Sequence, residues 1–112
     1  MQNAESGYHE WAAFAAQQSA EKALKALAQS LHGEPRGHSL TAILGRIPLA
    51  VGPPEVVLEA ARELDQVYIT SRYPNGFAEG SPEDYFSEST SRRLLSHAEQ
   101  ILQFCRGHIP RP

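Results

Sequence analysis

A single cysteine, Cys105, excludes an internal disulfide and a cysteine-rich zinc site, and it suits a reducing cytosol. No apolar run approaches the ~20 residues of a membrane span, and no signal-peptide pattern opens the chain. Positive charge is not in excess. Ten Lys and Arg against 13 Asp and Glu give a formal net charge of −3, which argues against a surface built for duplex nucleic acid but leaves room for a local basic patch. There is no glycine-rich phosphate loop, no HExxH, no GxSxG and no paired-cysteine metal motif. The histidines, His9, His32, His38, His97 and His108, lack the spacing of metal ligands, so no metal and no other cofactor is expected. These absences describe a small soluble protein of the cytoplasm.

What is present is helical. At 112 residues, 41% hydrophobic and 21% charged, the chain makes one domain, with an ordered core expected over about 7–108. The alanine-rich stretch FAAQQSAEKALKALAQSL predicts a helix from about Ser6 or Gly7 to His32, with Gly33 as its stop. Its apolar seam is Ala13, Ala16, Ala20, Leu24, Leu27 and Leu31, with Ala23 beside it. Trp11, Phe14, Gln18, Glu21, Lys22 and Lys25 fall on a roughly opposite stripe, half aromatic and half charged, that needs a partner.

A turn-rich linker over 33–37 leads to a short helix capped by Ser39 and buried through Leu40, Ile43, Leu44 and Ile47. Pro54 opens a third helix to about Ile69, with Val56, Val57, Ala60, Ala61, Leu64, Val67 and Tyr68 on one broad face and Glu63 away from it. A loop, TSRYPNGFAEGSPED, follows. The last helix is expected from Glu83 or Tyr85 to Arg106, its stripe being Leu94, Leu95, Ala98, Ile101, Leu102 and Cys105. No strand-like alternation of useful length occurs. The pattern is all-α, an antiparallel up-and-down bundle of four to five helices.

Chemistry concentrates in the loop after the third helix. Pro74 holds Tyr73 toward extended backbone, and Arg72 beside Tyr73 pairs a bidentate fork for phosphate oxygens with a ring for stacking a base. The plainer reading packs Tyr73 on the bundle and pairs Arg72 with Asp65 or Glu63. Lys22 and Lys25 are either solvated near Glu21 or face a ligand or second subunit. Trp11 and Phe14, together worth about 3–5 kcal/mol if buried, should be covered by the last helix or by another chain. His38, before Ser39 at a helix start, caps the turn or faces an anion. Arg92 and His97 diverge by about 140° on one helix, whereas Arg93 and His97 share a side.

The blocks FAAQQSAEKALKAL, GHSL, AARELDQVYITSRYP and a final helix bearing AEQIL resemble the prokaryotic HEPN domain of the minimal-nucleotidyltransferase-associated type. The resemblance runs from about Trp11 to Phe104, with one residue inserted between Thr70 and Arg72 relative to the shortest TRYP form. It implies a helical bundle, a homodimer, and a two-component, toxin–antitoxin-like pairing with a nucleotidyltransferase. Matching family positions are Gln17, Lys22, Lys25, His38, Arg72, Tyr73 and Pro74. Some members are metal-independent ribonucleases that use a spaced Arg and His across a dimer cleft; here only Arg92 and His97 fit that spacing, away from the motif's usual place.

The resulting expectation is a non-catalytic module that binds a nucleotide or a nucleotidyltransferase partner. Lys22, Lys25, His38, Arg72 and Tyr73 are its ligand candidates, and Trp11, Phe14 and Gln18 its interface candidates. The alternatives are a ribonuclease toxin acting on RNA through Arg92 and His97, and a purely structural dimerisation domain.

Overall fold

The computed structural model describes residues 4–72 and 87–109, with side chains over 7–70 and 87–109. Four helices make up the described residues: α1 (Ala4–Ser30), α2 (Leu40–Gly45), α3 (Glu55–Arg72) and α4 (Glu88–His108). The fold is the expected all-α, up-and-down bundle. Successive long helices reverse direction, so α1 and α4 lie side by side running the same way. His9 near the start of α1 accordingly meets Ser91 near the start of α4, at 3.3 Å.

The core is built where the apolar stripes meet. Leu24 and Leu27 of α1, Leu40, Ile43 and Leu44 of α2, Val57, Leu64 and Val67 of α3, and Leu94 and Ile101 of α4 are fully or almost fully buried. Ala13, Ala16, Ala20, Ala60, Ala61 and Ala98 join them, and such small side chains let the helix backbones approach closely. Val56 and Leu95, expected in the core, are exposed. The buried face of α3 is narrower than predicted, following Val57, Ala60, Ala61, Leu64 and Val67. Glu21, expected on the stripe opposite the seam, is buried instead.

Helix ends show what local chemistry decides. The first helix begins at Ala4, earlier than expected, and stops through His32 rather than Gly33. His32 takes the left-handed conformation (φ 62°), its N–H reaching the Gln29 carbonyl at 3.3 Å. The next N–H, of Gly33, reaches the Ala28 carbonyl at 2.6 Å, which completes a Schellman closure. Gly33 is needed for another reason. A Cβ there would meet the Arg46 carbonyl oxygen at 3.1 Å and Pro48 Cδ at 3.3 Å, so it lets α1's end approach the α2 exit.

Ser39 caps α2 as expected, accepting from the Ala42 N–H at 3.1 Å. At α3 the Pro54 carbonyl accepts from Val57 and Leu58, and the helix continues to Arg72, past the expected Ile69. The last helix starts later than predicted. It begins at Glu88, where Ser87 is extended (ψ 170°) and accepts from the Thr90 N–H; Glu83 and Tyr85 lie outside the described residues. At its other end α4 carries through Gly107 to His108.

Candidate functional site

Three helices contribute to one corner beside the α1–α2 connection. The residues Gln17, Glu21 and Lys25 recur every four positions on α1, so they line a single face. Gln17 is 0% and Glu21 6% exposed, an unusual depth for polar groups. Each is satisfied. Gln18 donates to the Gln17 amide oxygen at 2.8 Å, and Gln17 donates to Glu21 Oε1 at 3.1 Å. Lys25 Nζ lies 3.0 Å from Glu21 Oε2, and His38 Nδ1 reaches the same oxygen at 3.3 Å. Burial alone would raise the Glu21 pKa. The hydrogen bond and charge of Lys25, with hydrogen bonds from Gln17 and His38, outweigh that and hold the carboxyl below its ordinary range.

His38 is therefore fixed from behind, and its ring stacks on Tyr68 of α3 with centroids 4.7 Å apart and planes 15° from parallel. One turn before Tyr68, Asp65 turns to the start of α2. Its carboxylate accepts from the Ser39 hydroxyl (3.1 Å), the Leu40 N–H (2.6 Å) and the Thr41 N–H (3.2 Å). The carboxylate thereby supplies partners for amides that a helix start leaves unpaired. Between these groups lies a cavity of about 220 Å³ lined by His38, Ser39, Asp65, Tyr68 and Ile69.

The structure brings together some of the residues singled out from sequence and separates others. Lys25 and His38 meet on Glu21, whereas Lys22 is exposed on the neighbouring face. Arg72 ends α3, one turn past Tyr68; its side chain, and Tyr73 and Pro74, lie outside the described residues. The two carboxylates considered as partners for Arg72 have other work: Asp65 holds α2, and Glu63 bonds to His97 and to Arg93 (3.1 Å) on α4. Burial raises the Glu63 pKa, but the bonds and charges of His97 and Arg93 bring it below the ordinary value.

Arg92 pairs with Glu88 at 2.7 Å, one turn back on its own helix. Arg92 and His97 thus serve different carboxylates and do not converge within the chain. Sequence reasoning missed Glu21, Asp65 and Tyr68 as members of the corner. The four-residue ladder of Gln17, Glu21 and Lys25 was the readable clue for the first. Nothing local announces that Asp65 reaches back to Leu40.

A second concavity runs between α1 and α4. It holds about 400 Å³, with a floor of Ala12, Ala15, Ala16 and Ala98 and with Trp11 and Leu95 at its sides. Trp11 is 66% exposed and Phe14 39%, so the last helix does not cover them as one expectation had it. Tyr8 lies against Trp11, their ring centroids 6.3 Å apart. Gln18, half-buried, belongs to the hydrogen-bonded chain leading to Glu21 and not to this groove. The described residues include no group of three or more His, Cys, Asp or Glu able to hold a metal ion, and no helix long and apolar enough to cross a membrane.

Comparison with known proteins agrees with this architecture. The HEPN domain profile matches residues 1–108. An archaeal HEPN homologue, ST0689, is 38% identical in a superposition covering 93% of this chain and 80% of that one, with a TM-score of 0.74. The Thermus thermophilus protein TT1696 is 37% identical over 88% of this chain and 78% of its own, with a TM-score of 0.79. No curated protein matches the chain.

Proposed function

The chain belongs to the HEPN domain family, and from that premise we propose that it is a non-catalytic nucleotide-binding module, working as a homodimer beside a minimal nucleotidyltransferase in a toxin–antitoxin-like pair. The observation that carries the binding half is the cavity at the His38–Tyr68 stack. It lies against the last turns of α3, which ends at Arg72, and Tyr73 follows in the sequence. An aromatic pair followed closely in the sequence by an arginine and a tyrosine is the chemistry a nucleotide calls for.

The non-catalytic half rests on the engagement of Arg92 with Glu88 and of His97 with Glu63. A histidine held on a carboxylate and an arginine held one turn away supply no shared point at which to bind a phosphate and move a proton. Titration of ATP, GTP and an RNA oligonucleotide into the wild type and Arg72→Ala tests the binding half. Saturable heats from a nucleotide, weakened in the variant, are expected; flat traces from every ligand would end it. Expression of the protein alone should leave growth unaffected. Arrest that disappears in His97→Ala would favour RNA cleavage instead.

The homodimer draws on a separate observation, the exposed run of Tyr8, Trp11 and Phe14 with Leu95 beside it. Aromatic residues grouped beside an alanine-floored groove are the anchors that protein interfaces favour.

A further inference from the structure

The cavity at the α2–α3 corner has features that select which part of a nucleotide it accepts, a question that rests on the nucleotide-binding reading above. Its volume of about 220 Å³ falls below the ~300–1,000 Å³ of sites that enclose drug-sized ligands. One ring system fits; a whole nucleotide does not. Two of its walls are the stacked rings of His38 and Tyr68, and Ile69 adds an apolar side. Such walls favour a flat ring over a tetrahedral anion.

The charges point the same way. The Asp65 carboxylate lines the cavity, and the cavity sits against the last turns of α3, the negative end of that helix. Lys25, which shares Glu21 with His38, is held on that carboxylate at 3.0 Å. The α2 N-terminal amides that would otherwise attract an anion already bond to Asp65. A phosphate placed here would meet a carboxylate, and among the described residues no unspent positive group lines the cavity.

Asp65 also supplies a preference among rings. An ionised carboxylate offers about four lone-pair directions, and Ser39, Leu40 and Thr41 take three. The remaining one accepts a hydrogen from a ligand and can donate nothing. We infer that this cavity is a base subsite that excludes phosphate: it takes an uncharged planar heteroaromatic ring of nucleobase size that offers an N–H or amino hydrogen. Within the cavity a nucleoside therefore meets everything its monophosphate meets, and any gain from a phosphate comes from outside it.

Isothermal titration of the full chain with adenosine, AMP, ribose 5-phosphate and purine riboside tests this. In Arg72→Ala, adenosine and AMP should agree within about threefold, and ribose 5-phosphate should give no heat. Purine riboside, which lacks the amino group, should bind about tenfold more weakly. Tyr68→Leu, with its helicity checked by circular dichroism, should weaken adenosine by about tenfold. Binding of AMP and ribose 5-phosphate with adenosine silent would overturn the inference and leave nucleotide binding standing. Equal affinities for adenosine and purine riboside would remove the role of Asp65. Silence from all four would remove the base subsite and, with flat ATP and GTP traces, nucleotide binding itself.

Discussion

Along α1, Glu21 is buried while Trp11, closer to the start of the same helix, stands two-thirds exposed. A hydropathy scale would order them the other way. Glu21 is inside because Gln17, Lys25 and His38 meet its two oxygens, replacing the water it gives up. Trp11 is outside because α4 faces it with Ala98 and a half-exposed Leu95, which leave a groove and not a lid. The two flanks differ in what the neighbouring element offers, and intrinsic polarity does not predict it. The Glu21 flank is finished within one chain, whereas the Trp11 flank is left incomplete.

The largest effect should come from breaking the finished flank. Glu21→Ala strips the acceptor from Lys25, His38 and Gln17 at once and opens space beneath them. A loss of about 2–3 kcal/mol is expected, from hydrogen bonds to a charged group and the desolvated donor left behind. Urea unfolding monitored by circular dichroism measures it. A loss under about 0.5 kcal/mol, the range of ordinary surface substitutions, would make the buried carboxylate incidental. Glu21→Gln should recover part of the stability, since an amide oxygen still accepts one bond.

Acid should weaken the same flank. The Glu21 and Glu63 carboxyls both sit below their ordinary value of 4.5 in the folded protein. A depressed folded pKa contributes stability that is fully present above the unfolded value and disappears as pH falls through the folded one. Unfolding free energy should therefore be level with respect to these two groups above pH 4.5 and decline below it. In Glu21→Gln the decline should be shallower. An acid limb unchanged by that substitution would assign the loss to other carboxylates.

How much of this contrast the sequence displays depends on range. The helices, the Ser39 cap and the core of leucines and alanines follow from spacing within a few turns, and the structure has them. The αL stop slipped by one residue because the closure is set by which N–H reaches Ala28, and His32 accepts a conformation that glycine would take more easily. The late start of α4 turns on Ser87 capping Thr90 amid several residues able to cap. The corner is visible only in part. His38 and Lys25 stand out in the sequence as candidates for an anion, but their meeting on Glu21 joins residues seventeen positions apart, and Asp65 reaches 25 positions back to Leu40. Contacts of that length have no local pattern to betray them.

Between the two extremes lies the clamp of α3 to α4. Glu63 is partly exposed, so its bonds to Arg93 and His97 are discounted for solvent. Glu63→Gln should cost about 1 kcal/mol in urea unfolding, less than Glu21→Ala. Arg92→Ala, which removes only an exposed pair with Glu88, should fall below both. The reverse order would mean that exposure is a poor guide to the worth of a carboxylate in this bundle.

The smallest effect on folding is expected at the unfinished flank, where it is also the most informative. Trp11→Ser removes the most prominent apolar surface of α1, yet most of that surface is in solvent already, so monomer stability should change by no more than about 0.5 kcal/mol. Association should respond instead. Sedimentation of the wild type is expected to give a dimer, and Trp11→Ser to give a well-folded monomer with an unchanged circular dichroism spectrum. Loss of the dimer together with loss of fold would mean that the flank is part of the core. A dimer that survives intact would place the interface elsewhere, and the exposed indole would then need another partner. Only a change in assembly without a change in folding separates a surface that awaits another chain from one that serves its own.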